Sequence, residues 1–177
     1  MRIERIEDPR SLRDRLLDFV FEVYKGTGGR YPALEWVEEK PSPDDFEGFR
    51  RAYEPFLRFR LEEEFDELYV MGEGEIIGTV ALVYNLRGKD LWWVPDDVRN
   101  GTAGFVEFLM VRPELRGRGY GGELLRFAVR RLRGLGKVPH VVTFSWLEAY
   151  TYYLRRGFTE VLRRGDYVVL RYEPKDL

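Results

Sequence analysis

The chain has 177 residues, with 29 basic and 31 acidic side chains, one histidine and no cysteine. That length suits one domain with a sizeable core, and a formal charge of −2 argues against nucleic-acid binding through bulk positive charge. Without cysteine there is no disulfide, thiolate nucleophile or Cys-based metal site, and one histidine cannot furnish a multi-His metal site, so no metal is expected. The N-terminal MRIERIEDPR is charged, with no signal-peptide apolar region, and Arg2–Ile6 alternates as a short strand. No apolar run approaches the ~20 residues of a membrane span. These features point to a cytoplasmic protein with no membrane partner.

From Asp8 the spacing of Leu12, Leu16, Phe19, Val20 and Val23 predicts a helix, closed by the glycine-rich KGTGGR over 25–30. Residues 31–39 read as a short second helical piece. Ser42-Pro43-Asp44-Asp45 reads as a cap with Ser42 at the N-cap, opening a helix that buries Phe46, Phe49, Tyr53, Phe56 and Leu57. Pro55 is expected to kink or split that helix. The period then becomes two, and 67–71 and 75–85 read as strands of a hairpin. A long irregular connection over 87–103 holds Trp92 and Trp93, which either wall a cleft or anchor the loop.

Residues 104–111 (GFVEFLMV) read as a strand and 120–133 as an amphipathic helix with Leu124, Leu125, Ala128 and Leu132 inward. A strand over 138–144, a helix over 147–156 closed by Gly157, with Leu147, Tyr150, Thr151 and Leu154 at core spacing and Trp146, Ala149 and Tyr153 on a neighbouring stripe, and a hairpin of 159–163 with 167–173 complete the order. The expected fold class is α/β, a mixed, mostly antiparallel twisted sheet with flanking helices and one parallel crossover.

Chemistry concentrates between Val111 and Gly122 (VRPELRGRGYGG), between a strand and a helix. Gly117, Gly119, Gly121 and Gly122 clear side chains from the backbone, so N–H groups can converge on an anion at the helix N-terminus, with Arg116 and Arg118 adding positive charge. Gly117-x-Gly119-x-x-Gly122 also matches a dinucleotide fingerprint literally. Five residues separate it from the strand end, and no acidic residue follows at the required distance, so that reading fails.

The string LMVRPELRGRGYGGELL resembles the signature of the GNAT family of N-acetyltransferases: strand, V-x-P, then [RQ]-x-x-G-x-[GA], then helix. Ala149-x-x-x-Tyr153-x-x-x-Gly157-Phe158 is similar to the family's second signature, in the expected order. The resemblance covers residues 67–173, and the first 65 residues fit only loosely. It implies the GNAT (acyl-CoA N-acyltransferase) fold as a single domain over 1–177, with an acceptor side over 1–65 and an acetyl-CoA-binding core over 66–177. It further implies an acyltransferase of the EC 2.3.1 type, with acetyl-CoA as donor and a primary amine as acceptor.

The site residues implied are Leu109, Met110 and Val111 along a bulged, splayed strand that bonds the pantetheine arm. Gly117, Arg118, Gly119, Tyr120, Gly121 and Gly122 hold the pyrophosphate, Glu107 activates the amine, and Tyr153 is the general acid. Where the family often has an asparagine this chain has Trp146, and no cofactor role carries over to it. Residues 35–67 hold twelve acidic against five basic side chains, which favours a cationic acceptor. Two other readings stand beside this one: a CoA-binding sensor without turnover, and a nucleic-acid-binding module using the arginine-rich 112–134. His140 reads as structural. Relatives often dimerise, so a homodimer fits the resemblance. The absence of glutamine, two asparagines and abundant charge resemble a thermophile's usage.

Overall fold

In the computed structural model, which describes residues 1–174, the alternating and helical patterns become seven strands and four helices. In chain order these are β1 (Ile3–Arg5), α1 (Arg13–Gly26), α2 (Phe46–Phe59), β2 (Glu67–Met71), β3 (Gly78–Val83) and β4 (Ala103–Val111). They continue with α3 (Tyr120–Gly134), β5 (Val138–Phe144), α4 (Glu148–Leu154), β6 (Phe158–Arg164) and β7 (Tyr167–Tyr172). The strands form one open, mixed, mostly antiparallel sheet in the order β1-β2-β3-β4-β5-β7-β6, flanked by the helices. A parallel pair such as β4 and β5 needs a long crossover connection, and α3 lies in that crossover. None of the described helices is long and apolar enough to cross a membrane.

The chain forms two compact units. The first comprises Met1–Ala81 with Phe108–Leu125. Its core is an aromatic interlock of α1 and α2, in which Phe21 meets Phe46 at 5.1 Å and Tyr24 meets Phe49 at 4.9 Å between ring centroids. Tyr24 is fully buried, and its hydroxyl donates to the carbonyl of Pro41 at 2.7 Å, which removes the cost of burying it unpaired. The second unit comprises Leu82–Glu107 with the chain from Arg126 onward. There β5, β7 and β6 pair antiparallel, and Trp93 packs edge-on to Phe105 at 5.2 Å. Trp93 therefore anchors the 87–103 connection, whereas Trp92 is 60% exposed.

Four expectations need correction. Residues 31–39 form turns rather than a helix, because Leu34 is buried with φ +46, a left-handed backbone that no right-handed helix can contain. The cap of α2 is Asp45, whose carboxylate accepts from the Gly48 N–H at 3.0 Å, while Ser42 instead donates to Asp44 in a preceding turn. Helix α2 is not split at Pro55, since it runs from Phe46 to Phe59 as one helix. Pro55 and Arg51 are both exposed, so water can satisfy the carbonyl that the proline leaves unbonded. On α4 the expected inward stripe of Leu147, Tyr150, Thr151 and Leu154 is reversed: Thr151 and Leu154 are exposed and Tyr153 is buried. Two turns of helix carry too few residues for spacing to choose a face, and packing against Phe158 chooses it.

His140 is buried on β5 against Phe105, with Nδ1 2.8 Å from the carbonyl oxygen of Val138. Burial holds its pKa below the ordinary histidine value, with the nearby Arg171 charge acting in the same direction and the Val138 carbonyl opposing. The unfolded chain then binds the proton more tightly, so stability is present above about pH 6.5 and is lost as pH falls through the histidine range. Melting curves at pH 7.5 and 5.5 should show a larger drop for the natural chain than for His140→Gln; equal drops would show that His140 does not couple to folding.

Candidate active site

Strand β4 carries the candidate residues, and its pairing changes along its length. With β5 it pairs in parallel through Ala103↔Val138, Gly104↔Pro139 and Phe105↔His140, and among the described residues the ladder stops there. Beyond it, Val106 is buried and Glu107 half-buried. At Phe108 the backbone turns left-handed, with φ +57, which costs a side-chain-bearing residue about 1–3 kcal/mol. The strand is therefore bulged next to Glu107, and Leu109, Met110 and Val111 follow as half-buried, buried and half-buried residues.

The bulge is held from two sides. Thr79 on β3 donates its hydroxyl to the Phe108 carbonyl at 2.7 Å, and both groups are buried. Losing that donor would leave the carbonyl unsatisfied, a cost of about 1–3 kcal/mol. The Phe108 ring packs on Phe65 at 5.4 Å, and the Arg60 guanidinium lies 5.9 Å from its centroid. Arg60 also lies 5.0 Å from the rings of Phe56 and of Phe65, and pairs with the fully buried Glu64 at 2.7 Å. Breaking a buried pair of this kind costs about 3–5 kcal/mol, far more than an exposed one. Arg60 and Glu64 belong to a π-helical turn at the end of α2. Such turns place side chains one position away from the ordinary helical face, and they recur at functional sites.

After β4 the chain makes a short 3-10 turn, Pro113–Leu115, and reaches the glycine loop. Arg116, Gly117, Arg118 and Gly119 are exposed, and Gly117 and Gly119 adopt φ +80 and +87. A Cβ at either glycine would meet open space, so the demand for glycine there is conformational rather than steric. Helix α3 starts at Tyr120, and its first internal bond runs from the Glu123 N–H to the Gly119 carbonyl at 3.0 Å. The N–H groups of Tyr120, Gly121 and Gly122 therefore have no acceptor within the helix and stand at its positive end. With the two exposed arginines, this end of α3 can receive a di-anion. Along the helix Arg126, Arg130 and Arg133 are exposed and Arg131 is half-buried.

Three tyrosines crowd α4, and their surroundings separate them. The Tyr150 hydroxyl donates to Glu160 at 2.8 Å. The Tyr152 ring lies under the Arg156 guanidinium at 3.7 Å, and burial pushes its phenol pKa up. Tyr153 is buried, edge-on to Phe158 at 5.5 Å and to Tyr152 at 5.6 Å. Trp146, just before α4, is 42% exposed and stacks on Phe144 at 5.6 Å. Leu109 to Val111 and the loop to Gly122 thus lie on one continuous arm of the first unit, and Glu107 and Tyr153 belong to the second. Sequence reasoning missed Thr79, Phe108, Arg60 and Glu64. No turn residue marks the bulge, and nothing local pairs Thr79 with a strand 29 residues away.

Comparison with known proteins bears on this arrangement. Residues 30–158 match the model of the acetyltransferase (GNAT) family. A protein of Pyrococcus horikoshii assigned as an acetyltransferase is similar at 50% identity and a TM-score of 0.80, over 99% of this chain and 98% of that one. The fold is shared at low identity by PaiA N-acetyltransferase from Thermoplasma acidophilum in complex with coenzyme A, at 14% identity and a TM-score of 0.64, over 98% and 99% of the two chains. A GNAT family acetyltransferase from Brucella melitensis in complex with acetyl-CoA shares it at 16% identity and 0.56, over 98% and 88%. No curated protein matches the chain.

Proposed function

The chain belongs to the acetyltransferase (GNAT) family, and on that basis we propose that it moves an acetyl group from acetyl-CoA to a primary amine by direct attack in a ternary complex. The observation that carries the reading is the seat at the start of α3. Exposed Arg116 and Arg118, left-handed Gly117 and Gly119, and the N–H groups of Tyr120 to Gly122 suit a pyrophosphate in charge and in reach. The edge of β4 beyond Phe105 suits the amides of a pantetheine arm, which would bond to Leu109, Met110 and Val111 as an added strand. Coenzyme A complexes among proteins of the same fold support this assignment.

Acetyl-CoA, when bound, supplies an activated acetyl thioester. Glu107 takes a proton from the attacking amine, directly or through water, because the amine is a nucleophile only when neutral. A backbone N–H of β4 donates to the acetyl oxygen as negative charge develops there. Tyr153 gives a hydrogen bond or proton to the departing sulfur. No covalent enzyme intermediate is required, in keeping with a chain that has no cysteine. The acidic excess over 35–67 persists after Arg50, Arg58 and Arg60 are committed to Glu47, Glu54 and Glu64, and it favours a cationic amine. Release of coenzyme A thiol, followed across a panel of amines at two ionic strengths, tests the whole reading. Binding without release on any amine would mark a sensor instead.

Two substitutions test the parts. Gly119→Val forces a β-branched residue to φ +87 and should weaken coenzyme A binding in calorimetry while the circular dichroism spectrum is retained; unchanged affinity would remove the pyrophosphate from this loop. Tyr153→Phe deletes one hydroxyl and should slow acetyl transfer by about 10²-fold, with coenzyme A affinity and melting temperature held. A near-normal chemical step in that variant would end the assignment of Tyr153 as the acid.

A further inference from the structure

The glycine loop is approached from a direction that neither signature contains. Gly26 is the last residue of α1, and a Cβ built on it would lie 2.3 Å from Cγ and 2.5 Å from Cβ of Pro113. Real carbon atoms do not come that close, and a proline ring cannot swing aside as a long side chain can. The end of α1 is therefore in backbone contact with the 3-10 turn that leads from β4 into Arg116–Gly119. Gly26 does not have a positive φ, so its own backbone does not call for glycine there. Alanine is the better helix former, and the space taken by Pro113 is what excludes it.

The residue before Pro113 is held as firmly. Arg112 donates its backbone N–H to the Ile77 carbonyl at 2.8 Å and its Nε to the Ile76 carbonyl at 2.6 Å. Its guanidinium also meets Glu75 at 3.2 Å and lies 5.8 Å from the Phe19 ring of α1. Arg112 and Pro113 are thus clamped between α1 and the β2–β3 connection, four and three residues ahead of Arg116, where the exposed loop begins. An exposed loop with open space about its glycines has no packing of its own to set its direction. Its direction is set by the last fixed point before it.

We propose that the Gly26–Pro113 contact is this fixed point, so that Gly26 is a positioning residue for the coenzyme A pyrophosphate although it lies about 90 residues upstream of the loop. The proposal rests on the placement of the pyrophosphate given above. Adding a methyl group at Gly26 would push the Pro113–Leu115 turn and displace the N–H groups of the loop. Displacements of about 1 Å are enough to cost large factors where several donors must converge.

The test is a double-mutant cycle read by calorimetry with coenzyme A and by kinetics with an accepted amine. Gly26→Ala should weaken coenzyme A by about tenfold or more and raise KM for acetyl-CoA, while kcat at saturating acetyl-CoA and KM for the amine stay near their natural values. Pro113→Gly, which removes both the Cγ and the Cβ that a Cβ at Gly26 would meet, should weaken coenzyme A as well. The double variant Gly26→Ala/Pro113→Gly, in which the new methyl group occupies the vacated space, should bind better than the Gly26→Ala single variant. Wild-type affinity in Gly26→Ala, or additive losses in the double variant, would overturn the proposal. Should Gly26→Ala not fold, unchanged affinity in Pro113→Gly would overturn it and weakened affinity would sustain it. Failure of the natural chain to bind coenzyme A would instead overturn the placement of the pyrophosphate itself.

Discussion

The left-handed backbone at Phe108 is the constraint around which the candidate site is arranged. A phenylalanine does not adopt φ +57 by preference, so the surroundings must hold it there. Thr79 satisfies its carbonyl, Phe65 and Arg60 hold its ring, and buried Glu64 fixes Arg60. The cost of the bulge is thereby spread over one buried hydrogen bond, one buried ion pair and a set of ring contacts. The gain is a strand that, among the described residues, pairs with β5 from Ala103 to Phe105 and reaches Leu109 to Val111 past a left-handed residue. A regular strand in the same place would present those backbone groups in the ordinary ladder pattern.

The anion seat obeys a different logic, in which conformational openness is supported by rigidity next to it. Gly117 and Gly119 are exposed and uncrowded, which lets the backbone turn its N–H groups outward. A loop that loose would lose binding free energy to disorder if both of its ends were soft. Neither is: α3 begins directly after Gly119, and Arg112 and Pro113 are fixed by α1 and by the carbonyls of Ile76 and Ile77. Site residues on a short loop between two fixed elements combine close approach with a defined direction.

Ion pairing divides along the same lines. Most pairs, such as Arg50 with Glu47 and Arg163 with Glu160, are exposed and local, and water screens them so that each adds little. Arg60–Glu64 is buried under aromatic rings and cannot be lost without stranding a charge. The numerous surface charges set the field of the molecule, whereas this one pair sets the geometry of the site.

Local pattern was enough for whatever depends on neighbours in the chain. Periodicity marked β4, α3, β5 and the final hairpin, and the glycine spacing marked the loop, because each reports contacts within a few residues. The two signatures were legible for the same reason, and with them the family. Four features depend on residues far apart in sequence, and only packing in three dimensions decided them. Leu34 is drawn into the core in a left-handed conformation that a helical reading of 31–39 cannot contain. Tyr153 rather than Leu154 faces inward because Phe158 meets it. Phe108 turns because Thr79 and Arg60 wait for it, and Gly26 is glycine because Pro113, remote in the chain, occupies the space its side chain would need. A one-dimensional pattern records what each residue prefers; which preference is overridden depends on what the fold brings against it.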